Sequence, residues 1–319
     1  MSLKRSISET LSLPVEFLKS LKDPNLGFDI YVEAAGKPIL YCRGNDVRLM
    51  ERIDRLSKKD SLKNFLVVKE QYSEFIQYLS RHLENVFHQS KGQSLQEQVQ
   101  AIYQQQKSLL VIYGADISSE ENYAVLRNTC SLFYDFFSTK EERLSELFCH
   151  LELGEGLQEK WAAHSIRTAA LGSRLISEMA DEPGKPIFEV IQGAFLHDIA
   201  YMKSPWDFKV SSPEADLAFK EHPLVGYKMM ELAFVSPWVR NTIRLHEEHV
   251  DGSGFPSHAR QEDIDPTILC IAIASAFDHY ITIEQKTPAQ ALKQILIDKM
   301  GSYPLEYLQK VQTIAKALG

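Results

Sequence analysis

The sequence predicts a mostly α-helical protein, in which a helical C-terminal bundle follows a small N-terminal α/β domain. From Glu159 onward, apolar residues recur every three or four positions, which is the period of helices that bury one face. Residues 28–43 instead alternate between apolar and polar positions, as half-buried strands do. Seven of the ten histidines lie from His164 onward, so the candidate chemistry lies in the helical half.

Residues 1–88 are predicted to form the α/β domain. The alternating segment indicates a β-hairpin with Gly36 in its turn, because tight hairpin turns need a backbone conformation that glycine tolerates. Arg48–Leu56 and Glu70–Val86 have a helical pattern, and Asn64–Val68 is a short apolar strand. The segment has no cluster of metal-ligating side chains and no Gly-rich phosphate loop, so we interpret it as an input or partner domain.

A polar segment that contains a glycine, residues 88–98, is predicted to separate this domain from the rest of the chain. Leu95–Tyr113 and Glu120–Leu153 have apolar residues at helical spacing. We therefore expect residues 89–145 to form a helical connector and residues 146–319 to form one helical domain.

The composition excludes several classes of protein. The 319 residues are 44% hydrophobic and 24% charged, which suits two globular domains. The net charge of −8 argues against nucleic-acid binding, whose affinity comes mostly from Lys and Arg on phosphates. The four cysteines form no CxxC pair, the N-terminus has no apolar stretch of signal-peptide length, and the longest apolar run, Cys270–Phe277, is too short to cross a bilayer. These features predict a cytoplasmic protein with reduced thiols and no membrane partner.

Histidines and carboxylates occur in an order that suits a metal centre. His164 lies on an apolar helix face, where a lone histidine is more often an ordinary core residue. The adjacent pair His197-Asp198 ends a largely apolar stretch, and burying both side chains is costly unless each has a partner. A metal ion would supply that partner, and a His–Asp hydrogen bond within the core is the alternative.

Two further histidines extend the series. His222 precedes a proline, which is well tolerated in the first turn of a helix, so we expect His222 near a helix start. If the helix of His246 continues, Glu247 points about 100° away from it. The simplest interpretation places Glu248 and His249 in solvent, and we expect this for His249 in particular. Imidazoles and carboxylates are ligands of borderline divalent metals, and an adjacent His-Asp pair can share one carboxylate between two ions. The sequence therefore predicts a two-metal centre.

The series H-S-x-R, H-D-I, H-P-x-x-G, H-x-E and D-G-S-G-F-P, in this order and spacing, resembles the HD-GYP family of HD-superfamily metal-dependent phosphohydrolases. The resemblance covers residues 146–319 and implies a helical HD-type bundle that hydrolyses the bacterial messenger cyclic di-GMP with two or three bound metals. It assigns one metal to His164, His197 and Asp198 and a second to Asp198, His222 and His246, with Asp198 as the bridge. It assigns substrate contacts to the loop residues Asp251, Gly252, Gly254, Phe255 and Pro256.

The chain departs from the family pattern at several metal-ligating positions. Glu247 stands where the family has a second histidine, and its carboxylate can still ligate. Ser275 replaces the last aspartate ligand, and Asp278, one turn further on, is the candidate to replace it, with a helix-packing or surface role as the alternative. Lys160 stands where an acid would help to hold a third metal. We therefore expect two divalent metals, with iron as the expected ion and manganese or zinc as alternatives.

Positions that handle substrate also differ. Tyr201 replaces a phosphate-pairing lysine, for which Lys203 is the nearby substitute, and Phe255 replaces the tyrosine of the Gly-Tyr-Pro loop. Loss of one hydrogen bond to a charged group costs about 1.5–3 kcal/mol, which weakens binding without removing the chemistry. We expect Tyr201 to contact substrate, and we expect catalytic roles for Asp198 and Lys203.

The leading hypothesis is a metal-dependent phosphodiesterase that acts on cyclic di-GMP or a related small phosphodiester through a hydroxide bridged between two metals. The alternative is a catalytically weak or inactive, metal-containing signalling module, which binds a nucleotide or docks a signalling protein through the Gly-Phe-Pro loop. A third hypothesis, a structural helical domain whose histidines fill the core, predicts no metal.

Overall fold

The computed structural model describes residues 10–15, 18, 25–58, 62, 64–88, 94–115, 120–150, 156–179, 186–203, 212–232 and 235–318. A few side chains within these ranges, including that of Lys203, also lie outside the description. The fold is mostly helical with a small antiparallel sheet near the N-terminus, which confirms the predicted fold class.

The N-terminal part carries a four-stranded sheet in the order β1-β4-β2-β3. Its strands are β1 (Thr10–Pro14), β2 (Ile30–Ala34), β3 (Lys37–Cys42) and β4 (Asn64–Val68), and each pairing is antiparallel. The predicted hairpin is confirmed, because Ala35 and Gly36 join β2 to β3 with φ angles of 51° and 71°, as a two-residue hairpin loop requires. The sequence does not indicate β1, whose partner β4 lies far along the chain.

Helices make up most of the remaining described chain. They are α1 (Leu49–Ser57), α2 (Tyr72–His88), α3 (Leu95–Ala115), α4 (Glu120–Thr139), α5 (Glu141–Ser145), α6 (Leu157–Met179), α7 (Ile187–Leu196), α8 (Ile199–Lys203), α9 (Pro213–Met229), α10 (Pro237–Leu245), α11 (Pro266–Asp278), α12 (Pro288–Asp298) and α13 (Leu305–Ala317). Single π-helical turns, Glu146–His150 and His279–Ile283, follow α5 and α11. The predicted continuous helix Glu120–Leu153 is wrong, because α4 ends at Thr139 and the backbone of Lys140 is extended.

Four helices of the C-terminal part begin with a capping side chain followed by proline. Ser212, Ser236, Asp265 and Thr287 each accept a hydrogen bond from a backbone N–H of the first helical turn. The cap pairs an N–H that has no partner within the helix, and proline at the first position forfeits no helical hydrogen bond. These local signals determine where α9, α10, α11 and α12 begin.

The central helix of the C-terminal part is α6, which packs against α4, α7 and α11, while α7 packs against α10. A glycine permits the close contact between α7 and α10, because a Cβ on Gly193 would lie only 2.4 Å from Cβ of Thr242. Each of these two helices ends just before a histidine, α7 before His197 and α10 before His246. The glycine contact therefore helps to bring the two histidines together.

The sheet and the bundle share a continuous hydrophobic core that runs from Leu13 to Leu318. β1 packs on α3, α2 packs on α4, and α3 packs on α6. An ion pair crosses the last of these contacts, since the buried Lys107 of α3 places its Nζ 2.6 Å from Oε1 of Glu159 on α6. The division of the chain into domains at 1–88, 89–145 and 146–319 stays a prediction.

One segment of the described chain, Pro266–Ile283, is long and apolar enough by composition to cross a membrane. It extends beyond the apolar run Cys270–Phe277 that the sequence analysis judged too short. In the fold, 72% of the segment is buried inside the protein, because α11 packs on α6. The segment is a core helix of the bundle.

The variant Gly193→Ala tests the close contact between α7 and α10. Alanine favours an isolated helix over glycine by about 1 kcal/mol, but here its Cβ would overlap Thr242. Because overpacking a core costs typically about 1–3 kcal/mol, we expect the variant to lower the free energy of unfolding in denaturant titrations. The control Gly156→Ala has only a Glu159 Cγ contact at 3.6 Å and should be neutral. Equal stability of the two variants would contradict the close packing.

Candidate metal centre

The first candidate ligands lie where α7 ends. His197 directly follows the helix, and Asp198 comes next in a turn before α8. The last carbonyls of a helix lack an intrahelical donor, and the Nδ1–H of His197 donates to one of them, the Ala194 oxygen, at 2.6 Å. This hydrogen bond fixes the ring and leaves Nε2 as the nitrogen that can bind a metal.

The same arrangement orients His246 at the end of α10. The helix ends at Leu245, and the Nδ1–H of His246 donates to the Ile243 carbonyl at 2.8 Å. The helix does not continue through residues 246–249, because the chain turns at His246 and Glu247. The direction of Glu247 that follows from a continuing helix therefore does not apply.

His222 lies inside α9, so the expectation that it sits near a helix start is wrong. The helix begins at Pro213, and Pro223 lies within it. Because Pro223 has no N–H, the Phe219 carbonyl four residues earlier lacks its helical donor. His222 supplies a donor to that carbonyl, with its Nδ1 2.6 Å from the oxygen. The proline next to the histidine thus helps to orient the ring.

His164 lies on α6, and a carboxylate holds its Nδ1. This nitrogen is 2.8 Å from Oδ2 of Asp278 at the end of α11, and both side chains are buried. A carboxylate on the remote nitrogen of a metal-binding histidine fixes its tautomer and raises its basicity. Asp278 therefore orients the ring so that Nε2 faces Asp198.

The Asp198 carboxylate lies at the centre of the four imidazoles. Its Oδ2 is 3.6 Å from Nε2 of His164 and 3.4 Å from Nε2 of His197. Its Oδ1 is 3.1 Å from Nε2 of His222 and 3.6 Å from Nε2 of His246. The candidate ligand atoms form two groups in which all atoms lie within 4.8 Å of one another: His164, His197 and Asp198, and Asp198, His222 and His246. These are the two groups that the family resemblance assigns.

The charges of this cluster suit a bound cation. Burial lowers the pKa of His197 to about 3, so this ring is neutral near pH 7. Burial also acts to raise the pKa of Asp198, but the neighbouring histidines, His197 first and then His222 and His246, outweigh it and hold that pKa well below its usual range. Among the described residues, the ion-pair partners of Asp198 are all histidines. A buried carboxylate surrounded by imidazoles is a donor set that suits a divalent metal.

Two of the imidazoles show how strongly the site attracts positive charge. Burial acts to lower the pKa of His246, but Asp198, Glu247 and the Ile243 carbonyl together outweigh burial and raise the pKa above the usual value. Burial also acts to lower the pKa of His164, but the carboxylates of Asp278, Asp198 and Glu247 together outweigh it and raise this pKa. Protons and metal ions therefore compete for the Nε2 atoms of these rings.

Three residues that depart from the family pattern lie around the two groups. Oγ of Ser275 is 3.3 Å from Nε2 of His164 and 3.4 Å from Nε2 of His197, so the serine faces the first group. Asp278, the candidate to replace it as a ligand, lies on the opposite nitrogen of His164 and is in neither group of the described chain. Oε1 of Glu247 is 3.9 Å from Nε2 of His246, at the edge of the second group.

Tyr201, which we expect to contact substrate, lies against His222, and its substrate role stays a prediction. Its side chain is buried, with only 4% of the residue exposed, and its hydroxyl oxygen is 2.7 Å from Nδ1 of His222. Its ring stacks on Trp161, with the centroids 4.4 Å apart and the planes 12° from parallel. The side chain of Lys203 lies outside the described residues, so its catalytic role stays a prediction.

Glu248 and His249 are buried, so the expectation that they lie in solvent is wrong. The turn after α10 directs them into the protein. The Glu248 carboxylate accepts hydrogen bonds from the backbone N–H groups of Ser257 at 2.6 Å and Ala259 at 2.9 Å. Glu248 therefore fastens the far end of the Gly-Phe-Pro loop to the turn that carries His246.

The loop passes close to the second group. Gly254 has no room for a side chain, because a Cβ there would lie 2.4 Å from Cα of Glu248. The next N–H, that of Phe255, donates to the Glu247 carbonyl at 3.1 Å. The Phe255 ring lies edge-on to His222, with the ring centroids 6.3 Å apart. The loop thus brings an aromatic side chain beside a candidate metal ligand.

The remaining predicted loop residues shape its backbone. Asp251 accepts a hydrogen bond from the Ser253 N–H at 2.9 Å, and Ser253 in turn bonds His249 Nδ1 through its hydroxyl at 2.9 Å. Gly252 has a φ of 78°, a conformation that favours glycine. Pro256 follows a cis peptide bond. The substrate-binding role of these loop residues stays a prediction.

Sequence reasoning missed Trp161 and Glu248. Trp161 precedes His164 by three positions, so the two side chains share a helix face, and that spacing was a usable signal. Glu248 offers no such signal, because its burial depends on where α10 ends.

Sequence comparison links the chain to proteins of known name. A family model described as HD domain matches residues 202–303. The cyclic di-GMP phosphodiesterase PdeB of Borreliella burgdorferi is 30% identical over 124 residues, which are 37% of this chain and 32% of that protein. A cyclic di-GMP phosphodiesterase of Thermotoga maritima is 26% identical over 156 residues, which are 46% of this chain and 42% of that protein. The chain thus spans less than half the length of these two curated relatives.

A solved structure matches most of the chain. It is Bd1817, an HDG"Y"P protein from Bdellovibrio bacteriovorus, which is 26% identical with a TM-score of 0.74 and aligns over 96% of this chain and 99% of its own. Together with the order of the histidine and aspartate motifs, these matches support the HD-GYP family for this chain, which carries Phe255 in place of the tyrosine.

Proposed function

We propose that this protein is a metal-dependent phosphodiesterase that acts on cyclic di-GMP or a related small phosphodiester. The observation that carries the proposal is the position of the Asp198 carboxylate between the two groups. Each of its two oxygens faces a separate pair of imidazoles. The names of the two curated relatives, both cyclic di-GMP phosphodiesterases, support the substrate class.

In this proposal, His164, His197 and Asp198 hold one divalent ion, and Asp198, His222 and His246 hold the other. Two such ions lower the pKa of a water molecule towards neutrality and stabilise negative charge on a phosphate ester. Asp198 sets the spacing between the two groups because it belongs to both. Iron is the metal that we propose from the family, and imidazole with carboxylate also suits manganese and zinc.

The protein prepares each imidazole for this role through its Nδ1 atom. Backbone carbonyls occupy Nδ1 of His197, His222 and His246, and the Asp278 carboxylate occupies that of His164. Each ring therefore presents Nε2 to the centre in a fixed tautomer. On this basis we propose that Asp278 orients a ligand and does not itself ligate.

The edge of the second group is where we propose that substrate binds. Glu247 is 21% exposed there, whereas the side chains of the four histidines are at most 2% exposed. The loop residues Asp251, Gly252, Gly254, Phe255 and Pro256 lie beyond it, with Phe255 beside His222. We propose that Glu247 adds a carboxylate to the second metal and that Lys203 contributes a positive charge for the phosphate.

A second candidate function is a metal-containing signalling module with little or no turnover, which binds a nucleotide or a partner protein through the Gly-Phe-Pro loop. Two observations favour it. A serine faces the first group where the family has an aspartate ligand, and Tyr201 is buried where the family has a phosphate-pairing lysine. A hydrolysis assay on fully metal-loaded protein separates the two candidates.

We also propose that the protein works in the cytoplasm without a nucleic-acid or membrane partner. The net charge of −8 supports the first exclusion. The burial of the apolar segment Pro266–Ile283 in the bundle supports the second.

The variant Asp198→Asn tests the shared carboxylate, because it keeps the shape of the side chain and removes its charge. We expect loss of both metals and a fall in cyclic di-GMP hydrolysis of more than roughly a hundredfold, since even losing a partner of a metal ligand costs about 10- to 100-fold. Elemental analysis and hydrolysis are measured on the same preparations.

The matched control is Asp54→Asn, a surface carboxylate paired with Lys58, which should keep full metal and turnover. Full metal and turnover in Asp198→Asn would refute the proposed centre. A wild-type protein that holds two metals but hydrolyses nothing would favour the signalling module.

The variant Ser275→Asp tests whether the serine faces a bound metal. Its hydroxyl lies close to Nε2 of both His164 and His197, so a carboxylate there would add an anionic ligand to the first group. We expect the variant to release the metal of the first group to a chelator roughly tenfold more slowly than the wild type does. Ser275→Ala serves as the control and should leave the release rate unchanged. Equal rates in all three proteins would place the first metal elsewhere.

The variant Glu248→Ala tests the role of the loop in substrate binding. Loss of the carboxylate leaves the N–H groups of Ser257 and Ala259 without their acceptor, and the buried N–H of Ala259 alone would cost about 1–3 kcal/mol when unpaired. We expect KM for cyclic di-GMP to rise several-fold while the metal content stays at the wild-type level. The exposed neighbour variant Glu262→Ala should match the wild type. Metal loss in Glu248→Ala, or an unchanged KM, would count against the proposed role.

A further inference from the structure

We infer that Tyr201 is a positioning residue for the second metal, because its hydroxyl group holds the ring of His222 in the orientation that directs Nε2 to Asp198. This inference rests on the proposed two-metal centre. It adds that Tyr201 helps to retain the ion of the second group. It assigns Tyr201 to the metal site and not to substrate.

Both ring nitrogens of His222 have polar neighbours within hydrogen-bond distance. Nδ1 of the ring lies 2.7 Å from the Tyr201 hydroxyl and 2.6 Å from the Phe219 carbonyl. The opposite nitrogen, Nε2, lies 3.1 Å from Oδ1 of Asp198 and 2.9 Å from Nε2 of His246. Because the carbonyl can only accept, Nδ1 carries the proton and donates it to both oxygens. The Nε2 lone pair is then directed at the other ligands of the second group.

The side chain of Tyr201 acts as a neutral dipole in this arrangement. A tyrosine phenol has a pKa of about 10, so the hydroxyl keeps its proton near pH 7. Burial of the residue to 4% exposure also keeps competing water from the hydrogen bond. The hydroxyl therefore orients His222 without adding charge to the metal site.

Two contacts fix the position of the Tyr201 ring. Its backbone N–H donates to the Asp198 carbonyl at 2.9 Å, so the tyrosine lies one turn beyond the shared ligand. Its ring stacks on Trp161 with centroids 4.4 Å apart, within the range of a favourable aromatic pair. Trp161 precedes His164 by three positions on α6, and its ring lies edge-on to His164 at 5.9 Å. The stack therefore links the ligands of the two groups through a tightly packed pair of aromatic rings.

The burial of Tyr201 favours the positioning role over a contact with substrate. A residue that pairs with a phosphate must present its polar atom to the ligand, whereas the Tyr201 hydroxyl is already within hydrogen-bond distance of His222. The hydroxyl also shares its acceptor role with Phe219, whose carbonyl is available only because Pro223 follows His222. Both features serve the orientation of the histidine.

The variant Tyr201→Phe removes the hydroxyl group and keeps the stacked ring. The full-length protein is loaded with Mn²⁺, the metal content is measured by elemental analysis, and release to excess EDTA is followed over time. We expect wild-type protein to hold two ions and Tyr201→Phe to release one of them about 10- to 100-fold faster, as is typical for loss of a partner of a ligating histidine. The other ion should leave at the wild-type rate. A His222→Ala variant identifies which release phase belongs to the second group.

The matched control is Tyr103→Phe, because the Tyr103 hydroxyl is also buried but has no hydrogen-bond partner in the described chain. It should release both ions at the wild-type rates. Wild-type release from Tyr201→Phe would overturn the inference, as would an equal acceleration of both phases, which would indicate a general loosening of the fold. Wild-type protein that binds no metal would overturn the proposed function together with the inference, whereas two bound ions and an unaltered Tyr201→Phe would overturn the inference alone.

Discussion

The structure of the bundle depends on one buried carboxylate. Asp198 is 4% exposed and lies against four imidazoles that come from four separate helices or helix ends. A buried negative charge is stable only where positive charge or hydrogen-bond donors surround it. The bundle meets this need by bringing α6, α7, α9 and α10 to one point. The hydrophobic core and the ionic centre are therefore parts of one packing arrangement.

Three of the four imidazoles are oriented by the same kind of local hydrogen bond. His197, His222 and His246 each donate from Nδ1 to the carbonyl three residues earlier. Such a carbonyl is available where a helix ends, as at His197 and His246, or where a proline removes the usual donor, as at Pro223. Orientation of the rings is thus encoded within a few residues of each histidine, while their meeting at Asp198 requires the whole tertiary fold.

This difference between local and tertiary information explains what could be predicted from the sequence. The period of the apolar residues predicted the fold class, and the resemblance to the HD-GYP family predicted the grouping of His164, His197, Asp198, His222 and His246. The burial of Glu248 and His249 could not be foreseen without knowing that α10 ends at Leu245. The inward direction of Tyr201 depends on Trp161, which another helix supplies. Strand β1 depends on pairing with β4 across the N-terminal part.

The ion pair between Lys107 and Glu159 has a mechanical consequence. Lys107 is 7% exposed on α3, the helix that supports β1, and Glu159 lies in the first turn of α6, five residues before His164. Because separating the pair would leave a buried ammonium group without its partner, α3 and α6 resist sliding past each other. A displacement of α3 would therefore also move the first turn of α6. That turn lies within two helical turns of His164, a candidate metal ligand.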